Sequence, residues 1–304
     1  MRSSDYEILY DLPAGEYDGR GIEGVRTVTW RAGRSLEVIC HPANRLTGEA
    51  RREARRRRSR PAVQRINRRN RERHMMRLLE ANFTARAWVV TLTYAYPMED
   101  YGRANLRDLA AEYERRGLPW DAGRVRKDLR NLTARIKRRM KQRGVAPEAL
   151  KWCQVIEEGK EPPVYGLPPR YHVHAVIEAP GLTREEIDAL WEHGAVRCER
   201  FDLRDDGAAR LARYMGKQLS GGGDGRRGGR WWSHSRNLAI PQPRVSDRRI
   251  SRRRMARIAA DVQRDGVVIL EALYPGYKVV ELPDVKYSDF GPGCYIYARM
   301  RKRE

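Results

Sequence analysis

The heptapeptide Tyr171-His172-Val173-His174-Ala175-Val176-Ile177 constrains the fold more than any other segment of the chain. It is apolar and β-prone, and this pattern predicts a strand. Side chains alternate across a strand, so Tyr171, Val173, Ala175 and Ile177 share one face while His172, His174 and Val176 share the other. The first set can pack against helices. The second turns two imidazoles toward a cleft, and two neutral imidazoles side by side make much of a divalent-cation site. An isolated H-x-H pair is more often structural than ligating, so its meaning depends on what the rest of the chain brings to it.

The surrounding pattern predicts an α+β fold. Residues 88–94 form a β-branched and aromatic strand stopped by Pro97. Val125, Leu129, Leu132 and Ile136 recur at helical spacing over residues 124–141. A strand at 152–157 follows, then a loop rich in proline and glycine at 159–170. After the histidine strand, Thr183 and Glu186 make a capping box that opens a helix. A strand at 196–203 and a helix at 208–219 complete the series. This order predicts an antiparallel sheet of about five strands with helices packed on one face. Three segments follow from composition. Residues 1–82 hold short strands and an Arg-rich helical arm, 83–245 hold the α+β domain, and 246–304 hold a basic helix over 248–257 and a small β-rich tail. Strands in that tail are expected at 267–270, 277–282 and 294–297.

The net charge is +22, from 62 Lys+Arg against 40 Asp+Glu in 304 residues. That excess favours a polyanionic partner, nucleic acid before membrane, because each phosphate neutralised releases counterions. Arg55, Arg56, Arg57 and Arg58 in the N-terminal arm read as phosphate contacts, although a solvated charged helix has the same pattern. There is no apolar run of membrane-spanning length and no hydrophobic leader, so a soluble intracellular protein without a membrane partner is expected. The four cysteines are scattered, which indicates neither a disulfide scaffold nor a zinc ribbon. The glycine tract 221–229 lacks G-K-[ST], so it is not a nucleotide-phosphate loop.

A working Mg²⁺ or Mn²⁺ site needs a third, oxygen-bearing ligand. Glu157 and Glu158 end the strand before the histidines, and alternation allows only one of them on the histidine face. Periodicity leaves that choice open. Farther on, Tyr214-Met215-Gly216-Lys217 sets a phenol and an ammonium one helical turn apart. Ala208, Leu211, Met215 and Leu219 form the buried stripe of that helix, which leaves Arg210, Tyr214 and Lys217 on its flank. A phenol is a poor nucleophile at neutral pH unless cations or a base assist it. Trp231, Trp232, His234 and Arg236 could stack on or clamp single-stranded DNA, although tryptophan pairs are as often core.

Taken in order, these motifs resemble the HUH-superfamily rolling-circle replication initiators (Rep), the single-tyrosine replication-associated proteins of bacterial plasmids, prophages and small single-stranded DNA phages. Val90-Thr91-Leu92-Thr93-Tyr94 resembles their first motif, His172-Val173-His174 the metal motif, and Tyr214-Met215-Gly216-Lys217 the tyrosine motif. Val155-Ile156-Glu157-x-Gly159 is similar to the segment that supplies the third ligand. The resemblance runs over about residues 60–245. It implies Glu157 as that ligand, a divalent metal as cofactor, and attack by Tyr214 on an origin phosphodiester. A 5′-phosphotyrosine adduct and a free 3′-OH would result, with Lys217 steadying the developing charge. Thr91, Thr93, Arg210, Arg213, Trp231, Trp232 and Arg236 are expected along the DNA. No second tyrosine lies four residues from Tyr214, so closing the circle would need a second protomer or another nucleophile. Without a motor of its own, such a protein would rely on a host helicase and polymerase in a bacterial cytoplasm.

Other readings stay open. A plasmid-mobilising relaxase or a single-tyrosine transposase would share every site residue. A non-catalytic nucleic-acid-binding protein would explain the charge but not the histidines, glutamate and tyrosine. A zinc-binding regulator would use His172, His174, His193 and Cys198.

Overall fold

The structure is a computed structural model describing residues 7, 10, 12–43, 60–96, 106–119, 121–159, 170–204, 206–221, 232–288 and 291–303. In chain order its elements begin with β1 (Val25–Ala32), β2 (Ser35–Pro42), α1 (Arg60–Asn82) and β3 (Trp88–Thr93). Then come α2 (Leu106–Arg115), α3 (Ala122–Gln142), β4 (Lys151–Glu158), β5 (Tyr171–Glu178), α4 (Arg184–Ala189) and β6 (Val196–Arg200). The last are α5 (Gly207–Gly221), β7 (Trp232–His234), β8 (Arg244–Ser246), α6 (Arg252–Ala260), α7 (Asp265–Leu273), β9 (Tyr277–Lys286) and β10 (Tyr295–Lys302). The fold is α+β, with two five-stranded antiparallel sheets. No helix among the described residues is long and apolar enough to cross a membrane. All four cysteines are buried thiols.

The chain divides into two units, Met1–Ala81 with Ile240–Glu304, and Asn82–Ala239. The sequence treats the two flanks as separate segments, whereas the structure joins them in one sheet of order β8-β1-β2-β10-β9. Central strand β2 takes β1 on one side and β10, more than 250 residues later, on the other. Pairing over that distance leaves no periodic trace in the sequence. The β1–β2 hairpin turns on Gly33, which has a φ of 53° and lies so close to the Glu80 carbonyl that a Cβ would not fit; both features require glycine.

In this unit part of the positive charge faces inward. Arg73 ion-pairs with Glu7 and lies over the Tyr297 ring, and Arg77 pairs with Glu37 and lies over Trp30. The described C-terminal half of the arginine-rich arm thus packs on the sheet, because guanidinium planes stack on aromatic rings while saturating buried carboxylates. Arg55, Arg56, Arg57 and Arg58 lie outside the described residues. The expected strand at 267–270 is instead the core of helix α7. Gly266, Ile269 and Leu270 are buried there, so tertiary packing decides a short apolar run that strand and helix fit equally well. The other two tail strands are β9 and β10.

The second unit holds the order β6-β3-β5-β4-β7. Val125, Leu129 and Leu132 of α3 share a core with Val90, Val173 and Ala175 on one face of this sheet, and Ile187 of α4 joins them. The capping box of Thr183 and Glu186 opens α4 as its sequence indicates. Helix α5 packs on β4 from the other face, the one that carries the histidines. Its small residues Ala208, Ala209 and Ala212 let it approach closely, and Met215 is fully buried. The two ends of the unit meet at one side chain. Asn82 Nδ2 donates to Ala239 O at 2.8 Å, and Ala239 N donates to Asn82 Oδ1 at 2.7 Å.

Candidate active site

Strand register assembles the site. Across β3, β5 and β4, Thr93 lies opposite His172 and His172 opposite Glu157, while Thr91 lies opposite His174 and His174 opposite Val155. Paired residues of an antiparallel ladder point to one face, so Thr91, Thr93, His172, His174 and Glu157 share it. Glu158 pairs with Tyr171 and belongs to the opposite face. The register thereby answers the question that alternation left open.

His174 is the centre of the contacts. Its Nε2 is 2.7 Å from Glu157 Oε2, and its Nδ1 is 3.2 Å from Thr91 Oγ1. With Nε2–H donating to the carboxylate, Nδ1 accepts from the threonine hydroxyl. His172 is half-buried, and burial holds its pKa below the ordinary histidine value; His174 and Arg170 push the same way while Glu157 opposes them. It is therefore neutral at pH 7, the form in which imidazole binds metals. Thr93 is turned aside, its Oγ1 donating to Ala195 O at 3.1 Å.

Tyr214 rises over this face from α5. Its ring meets that of His174 edge-on at 5.1 Å between centroids, yet the residue is 47% exposed. Such exposure beside an ionisable cluster leaves the phenol accessible to a substrate. Arg210 and Arg213 are exposed on the same helix, and Arg210 lies 3.5 Å from Asp202. Lys217 is in α5, but its side chain lies outside the described residues, as does all of Trp231. At the sheet edge, Trp232 pairs with Val155 and His234 with Cys153, which puts both on the histidine face. Their rings are 5.7 Å apart. Arg236 is exposed just beyond them.

Two imidazoles and a carboxylate match in kind what a divalent cation requires. Among the described residues, no group of three or more His, Cys, Asp or Glu side chains is arranged as a metal site. His174 Nε2 is instead hydrogen-bonded to Glu157 Oε2. A cation would take the place of that proton. The zinc set is not brought together. His193 packs between Tyr94 and Trp191 with Nε2 3.7 Å from Asp128, and Cys198 pairs with Val90, both on the α3 side of the sheet.

Residues 87–219 match the family model described as replication-associated protein ORF2. The stretch is less than half of the chain, but it takes in the whole Glu157, His172, His174 and Tyr214 group. This part of the chain is thus similar to replication-associated proteins, and the similarity supports a role in DNA replication. No curated protein and no solved structure matches the chain.

The sequence offers little warning of what supports the site from behind. Trp191 Nε1 donates to Thr93 O at 2.9 Å, and Tyr96 Oη accepts from Tyr171 N at 2.6 Å. Tyr94 donates to buried Asp128 at 3.0 Å, and burial, followed by the Asp128 charge, keeps its phenol protonated far above the ordinary range. These bonds anchor both strand ends next to the site.

Proposed function

We propose that the protein is a single-strand DNA endonuclease that starts rolling-circle replication through a covalent tyrosine intermediate. The observation that carries this reading is the exposed Tyr214 ring against His174, on the sheet face shared with His172 and Glu157. Tyr214 Oη attacks the phosphorus of an origin phosphodiester. An O–P bond forms to the tyrosine, the bond from phosphorus to the 3′-oxygen breaks, the phenolic proton passes to solvent or a base, and the 3′-oxygen leaves as a hydroxyl. His172, His174 and Glu157 would hold a divalent cation, Mg²⁺ or Mn²⁺, which when bound supplies Lewis-acid polarisation of the phosphate. Thr91 orients the His174 ring through Nδ1. Lys217 and Arg213 stabilise charge near the phosphate, while Trp232 and Arg236 guide the strand at the sheet edge. The similarity over residues 87–219 supports the replication setting. In that setting the protein works in the bacterial cytoplasm, a host helicase opens the duplex, a polymerase extends the 3′-OH, and a second protomer completes strand closure.

The test is an adduct assay with single-stranded DNA tiled from the protein's own replicon, Mn²⁺ or Mg²⁺, and an SDS gel. A metal-dependent shifted band, lost in Tyr214→Phe, is the expected result. Tight binding along the replicon with no adduct under either ion would refute the enzyme and leave a binding protein.

A further inference from the structure

Helix α3 sorts its charges by side. Toward the sheet and α4, arginines have acidic partners: Arg124 with Asp128, Arg135 with Glu192, and Arg139 with Glu186. On the outward side lie Lys127, Arg130, Lys137 and Lys141, with Arg138 at the edge of the row where it also lines the groove to α4; all five are exposed, and none forms an ion pair among the described residues. Their spacing follows the helical repeat, with Asn131 and Ala134 between them, so they line up in one stripe. From Lys127 to Lys141 the helix rises about 21 Å. The only acid between Ala122 and Gln142 is Asp128, and it is buried.

Like charges three and four residues apart, as in Lys127/Arg130, Lys137/Lys141 and Arg138/Lys141, oppose helix formation. A face that only needed hydration would mix signs, as the inner side of this helix does. A uniform row of cations is instead offset by a polyanion that releases counterions on contact.

We infer that the outward stripe of α3 docks the phosphate backbone of duplex DNA. Its chemistry suits a duplex better than a single strand, because the helix Ala122–Gln142 itself carries no aromatic residue to stack on bases, while a straight row of cations matches a stiff, regular phosphate array. The stripe is also separate from the site described above. The inner residues of α3 cover the sheet face opposite the one that carries His172, His174 and Tyr214. One unit thus offers DNA two opposed surfaces, one for chemistry on a single strand and one for holding the adjoining duplex. The stripe's affinity does not depend on the nicking reaction, so either reading can fail alone.

The experiment compares the full chain with a variant carrying Lys127→Gln, Arg130→Gln, Lys137→Gln, Arg138→Gln and Lys141→Gln. Affinity is titrated against salt for a duplex of several helical turns and for a short single strand, and circular dichroism checks folding. The duplex slope of log K against log salt should fall by about 0.9 for each phosphate no longer neutralised, so by about 4 to 5 if all five side chains engage. Duplex affinity should drop at least about tenfold at ordinary salt. Single-strand affinity and adduct yield should stay near wild type. If the fivefold variant does not fold, Lys127→Gln with Arg130→Gln and Lys137→Gln with Lys141→Gln should each show a proportionate share. An unchanged duplex slope overturns the inference. So does an equal loss on single-stranded and duplex DNA, which would reflect net charge alone. Lost affinity for phosphatidylglycerol vesicles with duplex binding intact would also overturn it and reassign the stripe to a lipid surface.

Discussion

Asp128→Ala should destabilise the site-bearing unit without touching any group on the histidine face. Asp128 is 1% exposed and Tyr94 4% exposed, and their 3.0 Å hydrogen bond joins α3 to the residue that follows Thr93. Removing the carboxylate strands a buried phenolic hydroxyl, at about 1–3 kcal/mol. The vacated space adds about 1 kcal/mol, and relief from burying a charge takes back a similar amount. Arg124, 3.2 Å from the carboxylate with its side chain 43% exposed, returns to water at little cost. The net is about 1–3 kcal/mol, or a fall of about 2–12 °C in Tm for a unit of this size. Tyr94→Phe should cost less, about 1–2 kcal/mol, because Asp128 keeps Arg124 and His193 nearby. In urea unfolding, the double variant should lose little more than Asp128→Ala alone, a coupling of about 1 kcal/mol. An Asp128→Ala loss below about 0.5 kcal/mol, or strict additivity of the pair, would show that this network does not hold the sheet.

The other predictions concern the site and one buried histidine. Thr91→Val keeps the shape but removes the Oγ1 contact to His174 Nδ1, and adduct yield at limiting metal should fall about 10–100-fold with an unchanged melting curve; an unaltered metal titration counts against the orienting role. Glu157→Gln should raise the Mn²⁺ concentration needed for half-maximal adduct, whereas Glu158→Gln on the other face should not, and the reverse order would reassign the carboxylate. His41 is 1% exposed, and burial lowers its pKa to about 4. Its contribution to stability is full above the ordinary histidine value and is lost as pH falls from there through about 4, a span worth up to about 3 kcal/mol. His41→Gln should flatten that part of the pH–stability curve measured by urea midpoints, and identical slopes for both proteins would exclude a buried neutral imidazole.

The features legible in the sequence were those set by local periodicity. Period 2 put His172 and His174 on one face, and period 3.6 put Met215 inward and Tyr214 outward. Choosing between Glu157 and Glu158 needed the register, which depends on a partner strand that no local pattern specifies. The same limit hid the union of β2 with β10. At Arg73 and Arg77 composition misled for a different reason: charge count does not report direction, and these guanidiniums face carboxylates and rings inside the fold. At residues 267–270, β-branched composition lost to packing on the sheet, since a run of four spans barely one helical turn and is too short a window for periodicity to separate helix from strand.

Asn82 closes its unit like a clasp, because the single amide that receives the chain from α1 also holds its exit at Ala239. The half that carries the histidines and Tyr214 is therefore a self-contained insertion within another fold. As the chain leaves the ribosome, β1 and β2 emerge first but lack β10, whereas everything between Asn82 and Ala239 can assemble as soon as it is out. The site-bearing unit would then be complete before the other unit's sheet has its last strands. Such an arrangement lets one half be exchanged or retuned in evolution with only two chain crossings to accommodate.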